Sequence, residues 1–360
     1  MSSDAPLQGK ALLDQISDAP LGPRKCETCD LERTPDQALQ RCASCQAVEY
    51  CGRNCQSVHW PYHKAACKII AKLRRDVENA ARPLRSYSWD PRDPPKNFFE
   101  EQPGYFWGIV ATRPYMHARN ELAHTIAAMD NRLALEECLS HQFDMLRLSV
   151  RDNMGVREEM PGVMLRLGRD QECYDLIKWW ALGYKDSASY LEEDRADFLN
   201  IKDADALEPI EPFMDHDFFS SSHISSLALL KIRLLLDLQR ARDIISAAGT
   251  AKPTQEKAAL LENAGLSNAI TRQKDILLEL AQDPEPRIND MKAQAKKAVA
   301  YTHEKNKYLW DKIINPGDDF GTPPTMFSVG SPEEADVVRD QNIRAWKGTP
   351  GAIATLASLR

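Results

Sequence analysis

Seven of the nine cysteines in this 360-residue chain lie between positions 26 and 67, and no other feature limits its fold so strongly. With one histidine they form short pairs: Cys26 and Cys29, Cys42 and Cys45, Cys51 and Cys55, His63 and Cys67. A two-residue gap lets a tight knuckle aim both sulfurs at one point. A three-residue gap sets two ligands on one face of a helical turn. Four such pairs fill two tetrahedral Zn2+ ions with no ligand left over. Full ligation leaves no position for water, so the expected role is structural. Spacing alone does not fix the pairing. Sequential use gives two separate fingers, and interleaved use, first pair with third and second with fourth, gives one cross-braced unit. The five residues between Cys45 and Cys51 are too few for an independent finger, which favours interleaving. Seven thiolates and two Zn2+ sum to −3, and Arg24, Lys25, Arg41, Arg53, Lys64 and Lys68 stand close in sequence to offset it.

Other uses of the cysteines fit less well. The start "MSSDAPLQGKALLDQ" lacks the charged and apolar regions of a secretion signal. The most apolar stretch, "ISSLALLKIRLLLDL", is broken by Lys231 and Arg233, so no membrane partner is expected. A reducing compartment, cytosol or nucleus, is the expectation, and there clustered cysteines bind metal rather than form disulfides. A redox role for Cys26 and Cys29 needs a thioredoxin-like strand and helix, which the sequence does not offer. His59 reads as a surplus surface histidine. A net charge of −7 gives no general reason for nucleic-acid binding.

The segment "CETC…CASCQAVEYCGRNCQSVHWPYHKAAC" resembles a MYND-type zinc finger, with Tyr50-Cys51, Cys55-Gln56, Trp60, His63-Lys64 and Cys67 at that family's characteristic positions. RING fingers also cross-brace but order their ligands differently. The resemblance implies one zinc on Cys26, Cys29, Cys51 and Cys55, and the other on Cys42, Cys45, His63 and Cys67. It also implies a partner: a proline-containing peptide laid along a small sheet edge, facing Gln56 and Trp60. Trp60 reads equally well as packing over the second zinc, and Gln56 as a solvated polar residue. So short a segment lacks an adequate apolar core, and zinc is expected to supply on the order of 10 kcal/mol per site toward folding.

Beyond the finger the expected class is mostly α, with strands confined to the finger. Residues 1–23 are expected to be disordered, and the finger with an exit helix closed by Pro83 spans 24–80. A connector at 81–115, rich in proline and aromatic residues, is expected to be extended, with its rings docked on the chain beyond it. Residues 116–314 form a TPR-like helical domain. An offset of 35 there lays Met129 on Met164, Glu137 on Glu172 and Cys138 on Cys173, close to the 34-residue tetratricopeptide period. Cys138 and Cys173 are then small buried residues, and Trp179 and Trp180 core. An acidic insertion covers 186–217, where Asp215, His216 and Asp217 read as solvated. A central buried helix spans 223–245, with helices at 255–281 and 286–313. A loop and a helix capped by Ser331 occupy 315–360. The stretch "GYFWGIVATRPYMHARN…RLGRDQECYDLIKWWA" resembles fungal proteins that join an N-terminal MYND finger to such a helical region. That likeness implies architecture and a fungal source, and no activity.

The expected function is a protein-interaction adaptor, not an enzyme. A SET-type lysine methyltransferase, which in some cases carries a MYND finger, is the enzyme alternative. It needs an Asn-His-x-Cys element and a cysteine-rich tail, whereas no Asn-His pair occurs and no cysteine follows 173. The residues ahead of the finger are also few for the first half of that fold. Phosphate-loop, dinucleotide, zincin and serine-hydrolase motifs are absent. A transcriptional regulator acting through protein contacts is the other alternative, since no helix carries the base-contact spacing of C2H2 readers.

Overall fold

The fold is described from a computed structural model covering residues 16–88, 90, 92, 94–183, 198–214, 220–317, 319–322 and 324–360. Asp215, His216 and Asp217, residues 186–197 of the acidic stretch and residues 1–15 lie outside the described residues. Two compact units emerge. One is built on residues 21–160, the other on the described parts of 161–184 and 199–360 together with 16–20.

The first unit opens with the finger. Strands β1 (Gln40–Arg41) and β2 (Glu49–Tyr50) pair antiparallel, Gln40 opposite Tyr50 and Arg41 opposite Glu49. Helix α1 (Arg53–Ala81) follows as one element of 29 residues. The sequence suggests a helix leaving the finger after Cys67, yet Cys55, His63 and Cys67 already ride on it. Positions 55, 59, 63 and 67 recur every four residues and share a face, so ligation and helix agree. Pro61 lies inside and withdraws one N–H from the ladder; both it and Ser57, whose carbonyl is freed, are exposed.

The inner face of α1 buries Cys67, Ile70 and Leu73 against Ala47, Val48 and Tyr50 of the finger. The same cluster continues into Leu122 and Ile126 of α2 (Arg113–Ala127) and Ala134 of α3 (Arg132–Leu148). The finger therefore does have an apolar interior, borrowed from its neighbours, and the expectation of a core made by metal alone is corrected on this point. The connector's rings pack largely on one another, with Phe98 and Phe106 buried and Phe99 5.2 Å from Phe106 and 5.0 Å from Tyr115 between ring centroids. Trp107 reaches the chain beyond, its ring centroid 5.4 Å from that of His117. The connector's backbone is less extended than expected, being a run of short helical turns at Arg82–Ser86, Phe98–Glu101, Phe106–Gly108 and Val110–Thr112.

Helices α4 (Val156–Arg166) and α5 (Asp170–Lys178) follow, joined by a turn at Gly168, whose φ of +73° is open to glycine at no steric cost. Cys138 and Cys173 are both buried. The 35-residue offset lays Gly168 on Leu133, inside α3, so the turns do not coincide. Cys138 is the seventh residue of α3 and Cys173 the fourth of α5.

In the second unit α6 (Ser221–Ala248) is the central helix, buried on nearly every face up to Leu238. Its cap is Ser220, whose hydroxyl oxygen accepts the His223 N–H at 3.1 Å. The expected helix over 255–281 is interrupted: α7 (Thr254–Glu262) and α8 (Lys274–Gln282) flank a bend at Gly265, φ +67°. The next is split into α9 (Glu285–Lys305) and α10 (Leu309–Ile314) by Asn306, whose side chain accepts the Tyr308 N–H at 3.0 Å. In α11 (Pro332–Lys347) Ser331 accepts the Glu334 N–H at 3.1 Å, the cap the sequence announces. The fully buried Arg339 binds Asp340, Asp319 and the Pro316 carbonyl and so pins the preceding loop. Helix α12 (Ala352–Leu359) ends the chain, and Trp179 and Trp180 are buried as expected.

Candidate metal centre

Both cysteine knuckles share one local device. The N–H of Asp30 donates to the Cys26 carbonyl at 3.0 Å, and that of Gln46 to the Cys42 carbonyl at 2.9 Å. Each of these residues directly follows the second cysteine of its pair and adopts positive φ, 56° and 58°. The chain thereby reverses so that both sulfurs of a pair point the same way. Thr28 donates its hydroxyl to the Cys55 carbonyl at 2.8 Å, tying the first knuckle to the first turn of α1.

These turns bring the ligands together in two groups: Cys26, Cys29, Cys51 and Cys55, and Cys42, Cys45, His63 and Cys67. This is the interleaved arrangement. A tetrahedral zinc with Zn–S near 2.3 Å separates its sulfurs by about 3.8 Å. The observed separations are 3.6 Å for Cys29–Cys51, 3.4 Å for Cys51–Cys55 and 3.7 Å for Cys42–Cys67. His63 turns Nε2 toward the second group, 3.3 Å from the Cys45 sulfur. Such spacings are far beyond a disulfide of about 2.05 Å and fit two structural Zn2+ ions. The groups differ in exposure. All four residues of the second are buried, whereas Cys29 is exposed and Cys51 and Cys55 half-buried.

His59 belongs to neither group. It is half-buried rather than a free surface residue: Nδ1 meets the Tyr50 hydroxyl at 3.0 Å and its ring stacks on His63, centroids 5.5 Å apart. Of the basic residues near the finger, Arg24 pairs with Glu136 and Lys25 with Asp30, while Arg41 lies 3.9 Å from Glu49. Gln56 and Trp60 lie one turn apart on α1. Gln56 is half-buried, and Trp60 stays 40% exposed while its ring lies T-shaped to that of His63, centroids 6.3 Å apart. The Cys42 N–H bonds to the Val48 carbonyl at 3.0 Å, which makes Arg41 and Glu49 the pair whose backbone groups point away from each other. On the β2 side the Glu49 carbonyl accepts from Glu27 at 3.0 Å; β1 has no strand on its outer side among the described residues.

Sequence reasoning missed the residues that fasten the finger to α3. Asn131 caps α3 by accepting the Ala134 N–H at 2.9 Å and also donates to the Ala47 carbonyl at 3.1 Å. Arg74 donates Nε–H to the Cys45 carbonyl at 2.7 Å and grips the Glu137 carboxylate through both terminal nitrogens. Burial pushes the Glu137 carboxyl up, but His141 and Arg74 outweigh it and hold the group at about 2.

Residues 25–67 match the MYND finger family. Two curated proteins illustrate what the chain is similar to. "SET domain and MYND-type zinc finger protein 6" of Schizosaccharomyces pombe is 43% identical over 53 residues, 15% of this chain and 10% of that protein. "Histone-lysine N-methyltransferase ASHR1" of Arabidopsis thaliana is 36% identical over 45 residues, 12% of this chain and 9% of that protein. This chain thus spans about a tenth of the length of those relatives. No solved structure matches the chain. No helix among the described residues is long and apolar enough to cross a membrane. By its ligand geometry and its match alike, the segment 25–67 is a MYND-type zinc finger with places for two structural Zn2+ ions.

Proposed function

We propose that the protein is a non-enzymatic interaction adaptor of the cytosol or nucleus, whose finger takes a short proline-containing peptide while its TPR-like helical part offers a second docking surface. The observation that carries the reading is Trp60, a large ring held 40% exposed next to a rigid zinc ligand. Exposed aromatics on rigid supports make effective anchors because little side-chain entropy is lost on binding. The uncovered side of β1 supports strand addition, in which main-chain hydrogen bonds give affinity and the Gln56–Trp60 surface gives selectivity. An array of proline-containing peptides, probed with the zinc-loaded protein and with Trp60→Ala, tests it. Selective capture by the wild type and loss in the variant are expected; equal capture by both removes the proposed groove.

A further inference from the structure

The outer face of α1 is used neither by the zinc sites nor by the proposed peptide groove, yet it is strongly patterned. Val58, Tyr62 and Ile69 are 64%, 83% and 55% exposed, and Ala65 is exposed between them. At about 100° per residue these four fall within a sector of about 60°. Lys68, Lys72 and Arg75 edge that stripe on one side, with Arg53, Lys64 and Arg82 behind them, all six exposed. Residues 53–82 carry seven Lys and Arg against two acids, in a chain whose net charge is −7. Lys72 pairs with Asp76. Among the described residues Arg53, Lys64, Lys68, Arg75 and Arg82 have no carboxylate within 4.0 Å. Arg75 and Arg82 also line a shallow cavity of about 480 Å3 with Arg74, Ser44, Asn79 and Glu78, whose carboxylate is already held by Arg85.

We propose that this face of α1 docks an acidic amphipathic helix of a partner protein, its apolar residues on Val58, Tyr62 and Ile69 and its carboxylates on Lys68, Arg75 and Arg82. Charge complementarity selects the occupant: a row of cations without carboxylate partners attracts an acidic segment, while the net negative charge of the chain disfavours its docking elsewhere. The apolar stripe argues against a nucleic-acid backbone, which has nothing to place on three exposed hydrophobic side chains. The cations stand on one side of the stripe, the other side being turned toward the packed body of the unit. A membrane plane favours cations flanking both sides of a protruding apolar face, whereas a helix lying alongside α1 needs them on one. The docking is independent of the proline-peptide reading, since Gln56 and Trp60 are not part of it.

The test uses the zinc-loaded full chain and a fluorescent peptide of about 18 residues with leucines at helical spacing and glutamates between them. A second peptide carries glutamine for every glutamate and a third carries lysine. The wild type is expected to bind the glutamate peptide about tenfold more tightly than the glutamine peptide, with affinity falling as salt rises. The substitutions Lys68→Glu and Arg75→Glu together are expected to cost about tenfold and to create binding to the lysine peptide, while Tyr62→Ser weakens the glutamate peptide without changing the salt slope. All three positions are exposed, and retention of two zincs checks that each variant folds. Equal binding of the three peptides overturns the proposal. So does binding of duplex DNA or phosphatidylserine vesicles in preference to the glutamate peptide, or an unchanged affinity in the charge-reversed variant.

Discussion

Replacing Arg74 by alanine should loosen both the finger and its attachment to α3. Arg74 and Glu137 are about one-fifth exposed (21% and 22%), so solvent screens their attraction only in part. Holding Glu137 at about 2 rather than 4.5 corresponds to about 3 kcal/mol. His141 shares in that effect, and screening reduces it, leaving about 1 kcal/mol for Arg74. The charge-assisted bond to the Cys45 carbonyl adds roughly 1–2 kcal/mol. Arg74→Ala is therefore expected to lower stability by about 2–3 kcal/mol in urea unfolding at pH 7 with zinc present. A double-mutant cycle with Glu137→Gln should return a coupling of about 1 kcal/mol. The folded carboxyl is held below its unfolded value, so its contribution is complete above about pH 4.5 and fades only as pH falls toward 2. The coupling should accordingly be level from pH 5.5 to 8. Because Cys45 ligates the second ion, zinc should also leave that site faster. A loss under about 0.5 kcal/mol, or strictly additive single variants, would refute the reasoning.

Three further outcomes are expected from the structure. A chromophoric chelator should withdraw zinc in two phases, the faster from the group holding exposed Cys29, and Cys29→Ser should abolish the fast phase while sparing the slow one. Lys231 is fully buried, and burial lowers its ammonium to about 7; stability should rise between pH 7 and 9, where only the unfolded chain keeps that proton, and Lys231→Met should flatten the rise in thermal midpoint. A Cβ on Gly162 would stand 2.5 Å from the Gln341 carbonyl oxygen, so Gly162→Ala should force α4 off α11 and cost roughly 1–3 kcal/mol in urea unfolding.

The zinc ligands were legible because their chemistry and spacing are local. Each knuckle closes within five residues, and Cys55, His63 and Cys67 announce a helical face. The Ser331 cap and the buried α6 were legible for the same reason. The continuity of α1 was not, since Pro61 reads as a breaker and only the exposure of that turn makes it tolerable. The breaks at Gly265 and Asn306 depend on single turn residues inside helical composition. Least visible were the fastenings. Asn131 meets Ala47 across 84 residues and Arg74 meets Glu137 across 63, and nothing in either local sequence names the other. For the same reason the shared core of Ile70, Leu73, Leu122 and Ile126 makes the finger less dependent on metal than its length suggests.

The most direct test of a finger braced by two structural ions is native mass spectrometry joined to hydrogen exchange, before and after chelation. Two zincs per chain are expected. Their removal should expose the amides of residues 26–67 to exchange while those of α6 stay protected. A chain that carries fewer than two ions when fully loaded, or a finger that keeps its protection once they are stripped, would contradict the account.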